Sequence, residues 1–314
     1  MTVNDSNLLD YLKLLMELNS DETLGIFINS YVAKFSCDFW ESREKEIKLK
    51  PQLFSSALNY FHGTYVEQNY YTAFALFQES AIMNNVEAIF KLGNCYYLGL
   101  GVGKNLNLAA EYFKNAAELG HVFGMVNVGY CYYWGKVFWK TKKEAFDWFK
   151  KAADLNNSES LYWLSDCYRH GHGTNQNLGE SIRLLRAAVA LEHPGAMNRL
   201  GMLYYEGLGV EKDIYKAVNY FKWAIERKCS FAMRNLGIMY QNGIGVTKNC
   251  HEAFQLFDKS AELNYSHGIK YLISCYKNGI GTDADVIKAR HWEEKLGELK
   301  GCVAIDELKC RSLL

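Results

Sequence analysis

The chain has 314 residues, of which 49% are hydrophobic and only 2 are proline. This composition excludes a disordered chain and favours helices, because proline breaks a helix interior. The 35 Lys and Arg residues balance 35 Asp and Glu residues, which argues against a general nucleic-acid-binding protein. No apolar run reaches about 18 residues, so we predict no membrane-spanning helix.

Residues 1–49 predict a helical cap at the N-terminus. They contain a leucine-rich helix around Leu8 to Met16 and a second helix around Ile26 to Trp40. The segment has no basic region followed by an apolar block, the pattern of a secretory signal. The expected location is therefore cytoplasmic, and non-classical export into a host cell stays open.

A period of 36 residues organises the rest of the chain. Tyrosine recurs at this spacing from Tyr60 to Tyr276, and glycine recurs three residues later, from Gly63 to Gly279. A fixed period of this length indicates a solenoid of stacked repeats. The predicted repeats, followed by a short capping helix at 302–314, are 50–85, 86–121, 122–157, 158–193, 194–229, 230–265 and 266–301.

Each repeat predicts two helices, as residues 194–229 illustrate. The first helix is expected at Ala196–Glu206, with Leu200 on its apolar face, and Gly207 ends it. The second is expected at Ile214–Arg227, with Phe221 turned inward. The predicted fold class is all-α, an α-α superhelix in which helix-turn-helix repeats form a right-handed solenoid.

The repeat motif resembles the Sel-1-like repeat family, a relative of the tetratricopeptide repeats. The residues that carry the resemblance are Leu92-Gly93…Tyr96…Gly99…Gly101-Val102, Leu200-Gly201…Tyr204…Gly207…Gly209-Val210 and Leu236-Gly237…Tyr240…Gly243…Gly245-Val246. The resemblance covers roughly residues 50–301. It implies an adaptor or scaffold for protein complexes, and some members are bacterial proteins that act on host cells or regulate secreted proteins. The family's motif residues are structural, so no catalytic residue carries over.

Two repeats depart from this pattern in the loop between their helices. Tyr65 and Val137 stand where the second loop glycine is expected. In the repeat 122–157 the loop is also rich in aromatic residues, and exposed aromatics suggest an anchor for a partner. Trp134, Phe138 and Trp139 are therefore the sharpest binding candidates, unless they pack against a neighbouring loop or the N-terminal cap.

The candidate binding surface is the face of the first helices that lies opposite their apolar face, and we expect it to be concave. It is rich in aromatic, Arg and Asn side chains, and aromatic and Arg residues dominate protein interfaces. Alternatively, some of the aromatics pack between adjacent repeats. The candidate protein-binding residues are Asn94, Phe123, Asn127, Tyr130, Tyr133, Trp134, Phe138, Trp139, Tyr162, Trp163, Asp166, Arg169, His170, Asn198, Arg199, Met202, Tyr205, Arg234 and Asn235.

Four of the 9 cysteines, Cys95, Cys131, Cys167 and Cys275, occupy equivalent repeat positions. Stacked equivalents should lie about 10 Å apart, set by the distance between packed helices, which is too far for a disulfide. We therefore expect small buried side chains rather than a disulfide framework.

Metal binding and catalysis find little support in the sequence. Asp166, His170 and His172 cluster, but the two histidines flank Gly171 and are expected to diverge, and a metal site needs three or four converging ligands. We predict no metal, no cofactor and no catalytic residue. A penicillin-binding, hydrolase-like repeat protein is an alternative within the family. It is a remote one, because such proteins have close cysteine pairs and this chain lacks them.

The predicted function is non-enzymatic. The chain is expected to bind a partner protein as an adaptor or scaffold. The alternative is a regulator or inhibitor that wraps a specific enzyme, such as a bacterial secreted effector. No nucleic-acid partner is expected.

Overall fold

The computed structural model describes residues 52–135, 137 and 141–301, apart from the side chains of residues 300 and 301. The predicted caps at 1–49 and 302–314 lie outside these residues, as do Phe138 and Trp139. Within the described part of the chain every regular element is a helix, and none is long and apolar enough to cross a membrane.

The helices follow one another in pairs. In chain order they are α1 (52–62), α2 (Tyr70–Ile82), α3 (Val86–Leu98), α4 (Leu106–Glu118), α5 (Val122–Trp134), α6 (Lys142–Asp154), α7 (Ser158–His170), α8 (Leu178–Ala190), α9 (Pro194–Glu206), α10 (Ile214–Glu226), α11 (Ser230–Asn242), α12 (Cys250–Glu262), α13 (Ser266–Asn278) and α14 (Val286–Gly301). Each repeat contributes one odd-numbered helix, here called its A helix, and then one even-numbered helix, its B helix.

Local sequence signals set the helix ends, as α9 shows. The His193 side chain caps its N-terminus, and Pro194 occupies the first turn, where a helix needs no backbone N–H donor. The helix therefore begins two residues before the predicted Ala196. Gly207 ends it with φ 74°, a left-handed conformation that costs glycine little.

The loop between the two helices of this repeat is fixed by backbone and side-chain bonds. The Asp213 backbone N–H donates to the Tyr204 carbonyl at 2.9 Å. The Asp213 carboxylate then accepts from the Lys216 backbone N–H at 2.9 Å and caps α10. The same backbone bond recurs between Asn249 and Tyr240. In these repeats the Tyr of the 36-residue series therefore marks the point where the chain turns back.

The core is built where a B-helix aromatic ring meets an A-helix glycine. Phe221 is 1% exposed, and a Cβ on Gly201 would lie 2.7 Å from its Cε1 atom. Gly129 meets Phe149 in the same way, at 2.5 Å. The Leu-Gly step of the repeat motif is thus a packing requirement: the missing side chain lets the ring lie against the helix backbone.

The described residues divide into two compact units at Asn105–Leu106. In the first unit α2 packs on α3. In the second, α6, α8, α10, α12 and α14 each pack on the A helix of their own repeat, α4, α6, α8, α10 and α12 each pack on the A helix of the next repeat, and α11 also packs on α9 and α13. The motif residues Leu200 and Leu203 lie at 0% and 1% exposure in this second unit, as the apolar periodicity predicts.

The cysteines of the described residues are free thiols. Cys95, Cys167 and Cys275 are buried, as predicted, whereas Cys131 is only half-buried. Burial raises the pKa of the Cys95 and Cys167 thiols to about 12 and that of Cys275 to about 11. These side chains therefore behave as small apolar groups rather than as nucleophiles.

Candidate functional site

The face of the A helices that the sequence pointed to is only partly open. Phe123 at the start of α5 is 41% exposed, and His170 at the end of α7 is also exposed. The half-buried members of the predicted set are Trp134, Tyr162, Trp163, Asp166, Arg169, Asn198, Arg199, Met202, Tyr205 and Arg234. Most of the candidate residues therefore present an edge or a tip rather than a whole side chain.

Five predicted residues are buried instead of open: Asn94, Asn127, Tyr130, Tyr133 and Asn235, with exposed fractions from 0% to 8%. Their expected exposure was wrong. A helix of a stacked array contacts its own partner helix and the neighbouring repeats on both sides, so only a narrow strip of it meets solvent. Helical periodicity within one repeat does not reveal the contacts made with the next. The candidate surface therefore consists of the half-buried and exposed residues.

Glu159, near the start of α7, joins three A helices of the second unit. Its Oε1 accepts hydrogen bonds from the Tyr130 hydroxyl at 2.5 Å and from the Trp163 indole N–H at 2.8 Å. Its Oε2 lies 2.9 Å from Nε2 of His193, the residue that caps α9. Burial raises the pKa of Glu159, but these bonds outweigh it and hold the pKa below its usual value. The carboxylate therefore stays ionised and ties α5 and α9 to α7.

Asp166, two turns further along α7, gathers a second set of donors. The Tyr133 hydroxyl donates to its Oδ2 at 2.8 Å and also lies 3.0 Å from Nδ1 of His172. Nitrogens of Arg169 and His170 each lie 3.4 Å from its Oδ1. Burial, together with the Asp166 charge, raises the pKa of Tyr133. Tyr133 thus remains a protonated donor that locks the Asp166 side chain in place.

His170 and His172 do not diverge as expected. Their rings stack with centroids 5.2 Å apart and planes 24° from parallel. Gly171 takes a left-handed conformation with φ 69°, which turns the chain back and brings both rings to the same side. Within the described residues no group of three or more His, Cys, Asp and Glu side chains is arranged to hold a metal ion.

Trp134 is the last residue of α5 rather than a loop residue. Its ring packs edge-on against Tyr133 at 5.0 Å and Trp163 at 6.0 Å. The indole Nε1 is buried and has no acceptor among the described residues. These ring contacts are made with helix residues of α5 and α7 rather than with a neighbouring loop, and the Trp134 side chain is half-buried.

The candidate residues of α9 and α11 continue the surface. The Asn235 amide donates to the Asn198 side-chain oxygen at 2.8 Å and links the two helices. The Arg199 guanidinium lies against the Tyr162 hydroxyl, where its charge lowers a pKa that burial raises by more. Met202, half-buried on α9, completes this part of the face. These contacts hold polar and aromatic groups in fixed positions between repeats.

His193 was missed by the sequence analysis. Its Nδ1 accepts from the Ala196 backbone N–H at 3.0 Å, and the Tyr162 ring stacks on it with centroids 4.9 Å apart. One signal was available: the residue sits at the helix-capping position that Asn157 fills one repeat earlier. Its bond to Glu159 spans 34 residues, and no spacing rule within a single sequence reveals such a contact.

A comparison with protein-family models decides the family. The model of the Sel1 repeat matches seven segments: 54–85, 86–121, 122–157, 158–193, 194–228, 230–265 and 268–299. The chain belongs to the Sel1 repeat family. A solenoid of Sel1 repeats is a protein–protein interaction fold, and the fold class predicted from the period is confirmed.

Solved structures show the same fold. A Sel1 repeat protein from Oxalobacter formigenes superposes with a TM-score of 0.68 at 24% identity, covering 78% of this chain and 99% of that one. A protective antigen of uropathogenic Escherichia coli, described as having an SLR fold, gives a TM-score of 0.58 at 26% identity, covering 95% of this chain and 65% of that one. An immunity protein from Pseudomonas aeruginosa gives 0.52 at 19% identity, covering 68% and 81%. Among curated proteins, no sequence matches the chain significantly.

Proposed function

We propose that this Sel1 repeat protein is a non-enzymatic adaptor or scaffold that binds a partner protein through the open strip of its A helices. The strip runs across α5, α7, α9 and α11, all within the second unit. The fold supports a role in protein–protein interaction, and the side chains of this strip support its assignment as the binding surface. The proposed location is the cytoplasm.

The observation that carries the proposal is that aromatic and arginine side chains on α7 and α9 are half-buried and held in fixed positions. Tyr162, Trp163, Arg169 and Arg199 are half-buried, and each is held by a bond or ring contact with a neighbouring group. Side chains fixed in this way lose little conformational entropy when a partner covers them. Aromatic and arginine residues with buried stems are also the types that contribute most to binding energy in protein interfaces.

A second candidate function is a regulator that binds one enzyme tightly. Two structures with this fold, both from Pseudomonas aeruginosa and 17% and 19% identical to the chain, are described as immunity proteins. At that identity they support the fold alone, so stoichiometry must separate the two functions. A scaffold holds two partners at separate surfaces, whereas a regulator forms a one-to-one complex with its target.

The test is capture of partners from the native lysate by wild-type protein and by two triple variants. Phe123→Ala/Met202→Ala/Tyr205→Ala removes apolar contacts from the strip without changing charge. The control, Tyr215→Ala/Val286→Ala/Ile287→Ala, removes side chains that are 66–84% exposed on the B helices. Circular dichroism checks that both variants keep the helical content of the wild type.

We expect a stoichiometric partner that is retained by the control and lost from the strip variant. Retention by both variants would move the site away from the A helices and contradict the proposal. Light scattering of the purified complex then separates the functions, since a ternary complex supports the scaffold and a saturated one-to-one complex supports the regulator.

A further inference from the structure

The last two helices of the strip, α9 and α11, and the next A helix, α13, carry cations without counter-ions in the part of the chain that the structure describes. Arg199 on α9, Arg234 on α11 and Lys270 on α13 have no carboxylate within 4 Å among the described residues. By contrast, Arg169 on α7 lies 3.4 Å from Asp166. The guanidinium on α7 thus has a carboxylate partner, whereas these three cations have none within 4 Å in the described segments.

The three cations lie on one continuous face. The bond between Asn198 and Asn235 joins α9 to α11 directly beside Arg199 and Arg234. The pKa of His267 on α13 is lowered mainly by burial. The positive charges of Lys270 and Arg234 lower it further, so both cations lie near this imidazole. Arg234 and Lys270 also occupy equivalent positions one period apart. Arg199 lies one position further along its helix, since Asn198 is the equivalent of Arg234.

Arg234 has a buried hydrogen-bond donor that no described residue satisfies, in addition to its unpaired charge. Its Nε is buried and has no hydrogen-bond acceptor among the described residues. A buried N–H of a charged group without an acceptor is costly, and a carboxylate is the acceptor that fits a guanidinium best. The Arg234 charge also reaches Tyr265, whose pKa is raised by burial and lowered by that charge. Nothing in the described surroundings neutralises it.

Apolar surface lies beside these cations. Phe231, one turn before Arg234, is 50% exposed, and its ring lies 4.5 Å from that of Tyr265, which in turn stacks on His267 at 5.4 Å. The face thus combines open aromatic surface with unpaired positive charge. A ligand that matches it carries carboxylates and at least one apolar side chain, which is the chemistry of an acidic peptide.

We infer that α9, α11 and α13 bind an acidic segment of the partner protein, with its carboxylates at Arg199, Arg234 and Lys270 and an apolar side chain on Phe231. This inference rests on the proposed protein-binding function and names the chemistry of the bound segment. A nucleic acid fits the face less well. The chain has no net charge, and duplex binding commonly involves about 6–10 phosphate contacts against the three cations here.

The test measures binding of a labelled twelve-residue peptide of alternating Asp and Glu with one central Leu, by fluorescence anisotropy at low and physiological salt. A peptide with Asn and Gln in place of the acids is the first comparison, and a single-stranded RNA of twelve nucleotides is the second. The variant Arg199→Gln/Arg234→Gln/Lys270→Gln removes the three cations. The control Arg183→Gln/Lys222→Gln/Lys259→Gln removes three exposed B-helix cations and changes the net charge equally.

We expect the acidic peptide to bind the wild type and the control, and the neutral peptide to bind at least tenfold more weakly. The variant without Arg199, Arg234 and Lys270 should lose at least tenfold in affinity for the acidic peptide. Equal binding by the variant without the three cations and by the control, no preference for the acidic peptide, or tighter binding of the RNA would each overturn the inference. A lysate partner that needs Phe123, Met202 and Tyr205 but has no acidic segment would overturn it as well, while leaving the protein-binding function intact.

Discussion

His193 uses both nitrogens of its ring, one to start a helix and the other to reach the preceding repeat. Nδ1 accepts from the Ala196 backbone N–H at 3.0 Å, and Nε2 lies 2.9 Å from the Glu159 carboxylate. The residue that begins α9 is therefore also the residue that fixes α9 against α7. Helix capping and repeat stacking are coupled through a single side chain.

Two substitutions at His193 separate these roles. His193→Asn keeps a capping oxygen, like that of Asn157, but loses the contact with Glu159, and we expect it to cost about 1–3 kcal/mol of unfolding free energy. His193→Ala loses the cap as well and should cost about 1 kcal/mol more. Urea unfolding followed by circular dichroism measures both. Equal stabilities of the two variants would mean that the cap contributes nothing.

The contact between Gly201 and Phe221 predicts a second effect on stability. Gly201→Ala places a Cβ 2.7 Å from the Phe221 ring, and such overpacking should cost about 1–3 kcal/mol. Gly179→Ala is the control, because the nearest atom to its added Cβ is the Asn177 Oδ1 at 3.5 Å. It should stabilise α8 by up to about 1 kcal/mol. Chemical unfolding that ranks the two variants alike would contradict the packing account.

The repeat 158–193 supplies a compensating pair for the same contact. It carries Ser165 and Leu185, both buried, at the positions of Gly201 and Phe221. We expect Gly201→Ser/Phe221→Leu to be less destabilised than the sum of its single variants, by more than about 0.5 kcal/mol. A double-mutant cycle in urea measures this coupling, and strict additivity would show that the two positions are independent.

Glu159 gives a prediction for acid unfolding. Because its pKa is lower in the folded protein than its usual value of 4.5, the ionised carboxylate adds stability above that pH, and this stability is lost as the pH falls through the lowered pKa. We expect Glu159→Gln to cost about 1–3 kcal/mol at pH 7 and progressively less below pH 4.5. Glu252→Gln, at an exposed position of α12, should change little at either pH. A Glu159→Gln deficit that persists undiminished at low pH would contradict the assignment.

The buried cysteines should resist modification. With thiol pKa values of about 12 for Cys167 and about 11 for Cys275, almost no thiolate is present at pH 8 in the folded chain. We expect iodoacetamide to label both slowly in native protein and rapidly in urea, as measured by peptide mass spectrometry. Half-buried Cys250 is the internal comparison and should label faster than either in the folded state. Comparable native rates at all three sites would argue against this burial.

The sequence predicted the helices well because each helix carries its own signals. Gly207 ends α9 at the predicted Glu206, and α10 begins at the predicted Ile214. Exposure was predicted less well, since it depends on neighbouring repeats. Asn235 was placed on an open face, yet it pairs with Asn198 of the preceding repeat and is buried. The bond from His193 to Glu159 could not be predicted for the same reason, because it joins side chains 34 residues apart in neighbouring repeats.

Within the second unit each helix packs on helices that are near to it in the chain. Deleting one whole period, such as residues 230–265, would therefore join Cys229 to Ser266 and bring α13 to the place of α11 on α10. The shortened chain would keep every other neighbour relationship, because equivalent positions would simply replace one another. Such a chain can gain or lose 36 residues at a time without a change in the residues that form its core. Its length, and with it the reach of its binding strip, is a quantity that duplication and deletion can adjust.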